Sequence, residues 1–147
     1  MMQKIKIQLA IKEQIPKLAE IAEKCFSDPW SEAVFLSSFE NEYTRIYVAM
    51  QNEEICGYLV LQMLGDEQSV DDIAVLPEYR RQGIAENLLQ KAHREFSSCN
   101  FILEVREHNT SAISLYQKLD YKQVGYRKRY YTNPEEGAVL MTKESIK

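Results

Sequence analysis

A basic, glycine-containing turn separates two apolar patterns near the middle of the chain. Ile73-Ala74-Val75 predicts the end of a buried strand, and Pro77 ends that strand because proline has no N–H to donate to a sheet. Apolar residues after the turn predict one face of a helix, namely Ile84, Leu88, Leu89 and Ala92. The first N–H groups of a helix have no internal acceptor and carry partial positive charge, so this arrangement is suited to binding an anion such as phosphate.

The turn, Arg80-Arg81-Gln82-Gly83-Ile84-Ala85, follows the pattern R/Q-x-x-G-x-G/A. Gly83 allows the backbone to come close to a ligand, and the two arginines attract phosphate. The turn contains neither Gly-Lys-Ser/Thr nor G-x-G-x-x-G, so a nucleoside-triphosphate loop and a dinucleotide-binding fold have no support. The pattern alone is weak, because an ordinary strand–helix connection can contain the same residues, and that alternative stays open.

Glu104 interrupts the apolar run of residues 101–105, which otherwise predicts a buried strand. A carboxylate in such a strand costs much free energy unless it is paired or lies at an opening. Glu104 is therefore a candidate general base, with a pKa raised by partial desolvation. The alternative is that Glu104 ends the strand in solvent or pairs with Arg106.

Tyr116 is a second candidate, two turns into a helix predicted over residues 110–119. A tyrosine on an apolar helical face belongs more often to the core than to a catalytic site. Asn109, directly before this helix, is most simply a turn or capping residue. His93 on a charged helix face and His108 in a loop have no partner in the sequence, and both are predicted to be non-catalytic.

Composition restricts the classes of function. A chain of 147 residues with 45% hydrophobic and 27% charged residues predicts one globular domain over residues 1–147, with no repeat or linker. The formal net charge of -4 argues against a general nucleic-acid binder and favours a positively charged small molecule or peptide as the partner. The basic and aromatic residues 127–131 alternate as in a solvated strand face.

No apolar run approaches the length of a membrane span, and the first residues do not lead into a signal-peptide core. Three scattered cysteines, Cys25, Cys56 and Cys99, suit a reducing compartment, so a cytoplasmic location without membrane attachment is expected. Because the chain has no C-x-x-C or paired-histidine spacing, no metal site is predicted.

Hydrophobic periodicity predicts the order β-α-α-β-β-β-α-β-α-β-β. The first helix has its apolar face at Ile15, Leu18, Ala19, Ala22 and Phe26, and Ser31 is the predicted N-cap of the second. Polar connections at 51–54 and 133–137 predict antiparallel hairpins, whereas strands that feed helices in the middle of the chain predict parallel pairing. The predicted fold class is therefore α/β, with a mixed central sheet and helices on both faces.

These segments occur in one order along the chain, and their combination resembles the GNAT superfamily of acetyl-CoA-dependent N-acetyltransferases. The likeness is closest to the ribosomal-protein-alanine N-acetyltransferases and covers about residues 18–141. The turn before the central helix is typical only of the superfamily. The motifs that carry the closer likeness are Asp28-Pro29-Trp30-Ser31, Ile73-Ala74-Val75, Leu103-Glu104-Val105-Arg106, Ser114-Leu115-Tyr116 and Arg129-Tyr130-Tyr131.

The resemblance implies a mostly antiparallel sheet that is splayed in the middle, and acetyl-CoA as co-substrate with no metal. The pantetheine arm of acetyl-CoA would bond the backbone of Ile73-Ala74-Val75 like an added strand, and Asn109 would bond it as well. The backbone N–H groups expected to hold the pyrophosphate are those of Arg81, Gln82, Gly83, Ile84, Ala85 and Glu86.

The resemblance also implies direct attack of a substrate amine on the thioester, with Glu104 as the base and Tyr116 as the acid that assists the departing thiolate. An α-amine has a pKa of about 7.7–8.0, so a base must uncover its lone pair at neutral pH. The implied substrate is a protein N-terminus, the N-terminal alanine of an S18-type small-subunit ribosomal protein, with no direct contact to nucleic acid. Trp30, Tyr130 and Tyr131 would flank the groove that admits it.

Two residues depart from the family pattern. Glu86 would repel phosphate if its side chain pointed toward the pyrophosphate, and Asp120 stands where the family has glycine. Asp72 is a reserve candidate for the base. Two rival functions stay open: acetylation of a small amine such as a polyamine or an aminoglycoside, and a non-catalytic acetyl-CoA-binding regulator.

Overall fold

A computed structural model of the chain describes residues 4–146, which form seven strands and four α-helices. The strands are β1 (Lys6–Leu9), β2 (Thr44–Gln51), β3 (Glu54–Leu64), β4 (Glu67–Val75), β5 (Asn100–Arg106), β6 (Lys122–Tyr131) and β7 (Glu136–Lys143). The helices are α1 (Ile15–Cys25), α2 (Glu32–Glu40), α3 (Ile84–Glu95) and α4 (Thr110–Lys118). The predicted order of strands and helices is confirmed.

The strands form one sheet in the order β1-β2-β3-β4-β5-β7-β6. The pairs β1–β2, β2–β3, β5–β7 and β6–β7 are antiparallel, whereas β4 and β5 are parallel and are joined through α3. The parallel register runs from Glu67 with Asn100 to Val70 with Leu103. The prediction of an α/β fold with a mixed, mostly antiparallel sheet is confirmed.

The described residues divide into two compact units. The first consists of the residues up to Gln62 together with Asp71–Glu95, and the second of Met63–Val70 together with the residues from Phe96 onward. No helix within residues 4–146 is long and apolar enough to span a membrane. The prediction of a single domain over residues 1–147 extends beyond the described range at both ends.

Helices cover both faces of the sheet in the first unit. Ile46 and Val48 of β2 lie in a core with residues of α1 and α2, namely Ile15, Leu18, Ile21, Ala22 and Phe35. Tyr47 points to the opposite face, as alternation along a strand requires, and its hydroxyl donates to Glu95 of α3 at 2.6 Å. The prediction that helices lie on both faces is confirmed within this unit.

Two predicted side-chain positions are wrong. Phe26 was expected on the apolar face of α1, but the helix ends at Cys25 and the extended backbone at Phe26 leaves that side chain 38% exposed, while Ile21 is fully buried. His93 was expected on the charged face of α3 but is 6% exposed. It lies one turn after Leu89, on the apolar face that the spacing of the leucines defines.

Local signals for turns and caps agree with the structure. The Ser31 side chain accepts a hydrogen bond from the Val34 N–H at 3.2 Å and caps α2, as predicted. Asn52 and Glu53 both have positive φ, at 53° and 65°, which is the geometry of a tight hairpin turn between β2 and β3.

The second unit is built around β5, which pairs with β4 on one side and β7 on the other. Phe101, Leu103 and Val105 alternate as buried residues along it. Tyr121 directly precedes β6 and is 2% exposed. It packs against a tyrosine of α4, so α4 and the start of the last hairpin share one core.

Asp120 adopts the left-handed conformation, with φ of 73°, directly after the C-cap residue Leu119. This is the backbone region in which glycine commonly ends a helix. The turn was expected to differ from the glycine-containing turn of the family, but its backbone is one that a glycine adopts. Aspartate tolerates this region better than most residues because its short polar side chain can bond locally.

Replacement of Asp120 tests the cost of this backbone. Asp120→Val should lower the free energy of unfolding by about 1–2 kcal/mol, because a β-branched side chain is strained at positive φ. Asp120→Asn removes the same charge but tolerates the conformation, so it should stay within about 0.5 kcal/mol of the parent. Urea unfolding followed by circular dichroism measures both, and equal stability of the two variants would contradict the conformational explanation.

Candidate functional site

The turn before α3 has the backbone of an anion-binding loop. Arg81 and Gly83 have positive φ, at 65° and 76°, and α3 starts at Ile84. The Asn87 N–H donates to the Gly83 carbonyl at 2.9 Å, so the N–H groups of residues 84–86 precede the first intrahelical hydrogen bond. The six residues expected to hold a pyrophosphate, residues 81–86, therefore all lie in this turn and the first turn of α3.

Side chains of the same unit fix this turn in place. Arg80 Nε donates to the Val75 carbonyl at 3.0 Å, and its Nη2 lies 3.6 Å from the Cys25 Sγ. Gln51, which is buried at the end of β2, donates to the Gln82 side chain at 3.1 Å. The guanidinium of Arg80 therefore ties the turn to the end of β4, in addition to placing positive charge there.

Glu86 lies on the first turn of α3 with its carboxylate directed along the helix. Its Oε2 accepts a hydrogen bond from Gln90 Nε2 at 3.4 Å, one turn further on. A negative charge in the first turn of a helix is favourable with the helix dipole. Whether Glu86 also repels a bound phosphate stays a prediction.

The end of β4, Ile73-Ala74-Val75, approaches β3 closely at Gly57. A Cβ on Gly57 would lie 2.8 Å from the Ala74 carbonyl oxygen, nearer than real Cβ atoms come to such an atom. Only glycine therefore fits at this position of β3. The sequence analysis did not identify Gly57, although a glycine inside a strand pattern signals a close backbone approach.

Asp72 precedes this segment and carries a carboxylate with a strongly altered proton affinity. Its Oδ2 accepts a hydrogen bond of 2.8 Å from the hydroxyl of Tyr58, a residue that is fully buried. Burial raises the pKa of Asp72 to about 6, although the Tyr58 hydroxyl and the Ile73 N–H favour the charged form. Burial likewise raises the pKa of Tyr58.

Glu104 lies on the exposed face of β5. Its side chain is 36% exposed, because it alternates with the buried positions Leu103 and Val105. Tyr130 Oη lies 3.4 Å from Glu104 Oε1, and Arg127 Nε lies 3.7 Å from Oε2. The alternative of a solvent-facing carboxylate thus agrees with the structure.

Arg106 does not pair with Glu104. It binds Glu136 at 2.9 Å and donates to the carbonyls of Thr132 at 2.7 Å and Pro134 at 2.9 Å. Its guanidinium also lies over the Tyr131 ring, 4.5 Å from the centroid. Arg106 therefore fixes the connection between β6 and β7.

The two tyrosines at the end of β6 differ in environment. Their ring centroids are 5.0 Å apart in an edge-to-face arrangement, but Tyr130 is 46% exposed while Tyr131 lies partly buried beneath Arg106. Burial raises the pKa of Tyr131 to about 12. Residues 127–129 are exposed, as predicted for a solvated strand face.

Asn109 and Tyr116 both take the ordinary structural roles that the sequence left open. The Asn109 side chain accepts from the Ala112 N–H at 3.2 Å and caps α4. Tyr116 is 6% exposed, and its ring centroid lies 5.5 Å from that of Tyr121.

Trp30, expected to line a substrate groove, precedes α2 and borders a cavity of about 360 Å³ beside α1. Its ring centroid lies 5.3 Å from that of Phe35. Glu20, Glu23 and Glu32 also line the cavity.

The candidate site residues are divided between the two compact units. The first unit contains Trp30, Ile73-Ala74-Val75 and the turn before α3. The second contains Glu104, Asn109, Tyr116, Tyr130 and Tyr131.

Comparison with known proteins agrees with the resemblance noted in the sequence. The sequence model of the acetyltransferase (GNAT) family matches residues 15–121. The ribosomal protein bS18-alanine N-acetyltransferase of Escherichia coli strain K12 is 32% identical over 132 residues, which cover 86% of this chain and 88% of that protein.

Comparison with solved structures also finds acetyltransferases that share the fold of this chain. The crystal structure of the ribosomal-protein-S18-alanine N-acetyltransferase from Escherichia coli matches with a TM-score of 0.91 and 29% identity, covering 98% of this chain and 96% of that one. Arabidopsis thaliana NAA60 in complex with acetyl-CoA has the same fold, with a TM-score of 0.85 at 18% identity, over 95% of this chain and 97% of that one.

The left-handed glycine before α3 can be tested directly. Gly83→Val should weaken acetyl-CoA binding more than about tenfold, or about 1.4 kcal/mol, because valine is strained at φ of 76° and the turn must rearrange. Gly65→Val is the matched control, since Gly65 has φ of 63° in the β3–β4 turn and equally open space for a Cβ. Calorimetry showing unchanged affinity in folded Gly83→Val would remove the turn as the phosphate site.

Proposed function

The chain belongs to the GNAT acetyltransferase family, and on that premise we propose that it acetylates the N-terminal alanine of a bS18-type small-subunit ribosomal protein. It is an acetyl-CoA-dependent N-acetyltransferase, as the family and its cofactor-bound structural neighbours indicate. The observation that carries the substrate proposal is the match to the Escherichia coli enzyme over nearly the full length of both chains.

The residues of the turn before α3 fit the cofactor. A pyrophosphate needs several convergent N–H donors, and residues 84–86 offer them next to the left-handed Gly83 and the Arg81 side chain. We place the pantetheine arm against the backbone of Ile73-Ala74-Val75, with Asn109 as a further partner. Acetyl-CoA supplies an acyl group activated as a thioester, which an amine attacks without a protein nucleophile.

We assign Glu104 as the base that takes the proton from the substrate amine. Its carboxylate lies on the exposed face of β5, where a substrate can reach it, and Tyr130 and Arg127 hold its two oxygens. An α-ammonium group with a pKa of about 7.7–8.0 is mostly protonated at neutral pH, so attack requires this deprotonation. The adjacent Tyr130 and Tyr131, together with Trp30, are the proposed walls for the incoming N-terminus.

Tyr116 assists the departure of the thiolate. A thiol has a pKa of about 8.5 and an ordinary phenol one of about 10, so complete proton transfer from the phenol to the departed thiolate is unfavourable by roughly 2 kcal/mol. A hydrogen bond from the Tyr116 hydroxyl to the sulfur as charge develops requires no such transfer. Its fixed position against Tyr121 suits a donor that must not reorganise.

We further propose that residues 1–147 act as one catalytic domain in the cytoplasm, without direct binding to nucleic acid or membranes. The family match, residues 15–121, includes parts of both compact units. The cysteines Cys25, Cys56 and Cys99 are all free thiols, as expected in a reducing compartment.

A competition of substrates tests the activity. The protein is incubated with acetyl-CoA and equal amounts of an alanine-starting bS18 peptide, the same peptide with a blocked N-terminus, spermidine and an aminoglycoside. Mass spectrometry should detect one added acetyl group, on the α-amine of the unblocked peptide. Acetylation of spermidine or the aminoglycoside alone would establish a small-amine enzyme, and no acetylation with intact acetyl-CoA binding would establish a non-catalytic binder.

The two catalytic roles predict different pH profiles. Glu104→Gln cannot accept a proton and should lower kcat by about two to four powers of ten near pH 7, with a deficit that shrinks as the substrate amine loses its own proton above its pKa of about 8. Tyr116→Phe should leave a deficit that persists above that pH, because the departing sulfur still lacks its donor. Steady-state rates from about pH 6 to 9.5 distinguish them.

Acetyl-CoA affinity provides the control for both variants. Calorimetry should show little change in Glu104→Gln, because this carboxylate is assigned to the amine and not to the cofactor. Near-native rates in Glu104→Gln would exclude it as the base.

A further inference from the structure

Asp72 is a partly buried carboxylate to which the described part of the chain brings no cation. Its hydrogen bonds come from the Tyr58 hydroxyl and the Ile73 N–H, and no lysine, arginine or histidine of residues 4–146 forms an ion pair with it. A buried negative charge without a cationic partner is unfavourable. Such a group is satisfied when a ligand supplies the positive charge.

The groups around Asp72 do not neutralise its negative charge through an ion pair. Tyr58 of β3 and Cys25 of α1 are neutral near pH 7, because burial raises the pKa of both. Asp71, next to it on β4, adds negative charge. The guanidinium of Arg80 is bonded to the Val75 carbonyl and to the Cys25 sulfur.

Two fully buried aromatic rings, Phe35 and Tyr58, pack beside this carboxylate within the first unit. The ring centroids of Trp30 and Phe35 are 5.3 Å apart, and those of Phe35 and Tyr58 are 5.2 Å apart in an edge-to-face arrangement. Tyr58 then donates to Asp72 at 2.8 Å. These buried rings hold the carboxylate in a fixed position, where it can bond a charged group that reaches it.

We propose that Asp72 binds the protonated α-amine of the incoming substrate as an ion pair. This inference rests on the proposed function and deepens it. Asp72 directly precedes Ile73-Ala74-Val75, the segment proposed to hold the pantetheine arm, so an amine bound there lies next to the strand that carries the thioester.

The pH dependence follows from the two titrating partners. Asp72 has a pKa of about 6 in the free protein, so it is charged above that pH. The α-amine is charged below about pH 8. The ion pair therefore forms between these limits, and substrate affinity should fall as pH drops through 6 because Asp72 then binds a proton.

Asp72→Asn is the first test, because asparagine keeps the size and an acceptor for the Tyr58 hydroxyl but has no charge. The KM for an alanine-starting peptide at pH 7 should rise at least about tenfold, equivalent to 1.4 kcal/mol, while kcat and the Kd of acetyl-CoA change less than about threefold. The rise in KM that the parent shows below pH 6 should be absent. Asp71→Asn removes a neighbouring carboxylate on the other face of β4 and should leave KM within about threefold.

A second variant and a direct titration test the same inference if Asp72→Asn does not fold. Tyr58→Phe removes a donor that favours the charged carboxylate, so it should raise the pKa of Asp72 and move the increase in KM to higher pH. In the parent bound to coenzyme A, the carboxyl carbon signal of Asp72 should titrate at lower pH with the free-amine peptide than with the acetylated peptide.

The outcomes separate this inference from the proposed function. Unchanged KM and pH profile in Asp72→Asn, in an enzyme that acetylates the alanine peptide, would overturn the role of Asp72 and leave the function standing. Acetylation of a small amine alone would overturn the peptide substrate, and the same Asp72→Asn comparison with that amine would then decide the role of Asp72. Absence of any acetylation by the parent would overturn both.

Discussion

The carbonyl end of β4 is the point on which the proposed cofactor site depends. The Val75 carbonyl accepts a hydrogen bond from Arg80 and another from the Cys25 thiol, and Gly57 lets β3 approach the neighbouring carbonyl of Ala74. These contacts fix where the chain leaves the strand. The left-handed residues that follow can then start α3 with its first N–H groups at that position.

Much of this arrangement could be predicted from the sequence because its signals are local. The turn before α3, the capping of α2 by Ser31 and that of α4 by Asn109 each depend on residues within one or two turns, and all three are observed. Alternation along the strands and the two hairpins likewise predicted a mixed sheet, and the family resemblance implied that it is mostly antiparallel. The burial of individual site residues depends instead on contacts between distant parts of the chain.

Burial of single polar groups could not be predicted, because it depends on residues distant in sequence. The sequence left open whether Glu104 is partly desolvated or faces solvent, and its apolar neighbours point to the other face of β5. Asp72 lies in the less apolar stretch but faces the core with Tyr58, fourteen residues away. Periodicity predicts which positions share a face, whereas the partner that covers that face comes from the whole fold.

The two carboxylates therefore have environments that suit opposite tasks. A pKa raised from 3.8 to about 6 corresponds to a preference of Asp72 for its neutral form on the order of 3 kcal/mol, which a bound ammonium offsets. The Glu104 side chain is 36% exposed and lies beside Arg127, so solvent and substrate can reach it. Burial thus favours Asp72 as a binding group for charge, and exposure favours Glu104 as the group that carries the proton away. This difference in solvation is the reason that we propose one carboxylate for binding and the other for proton transfer.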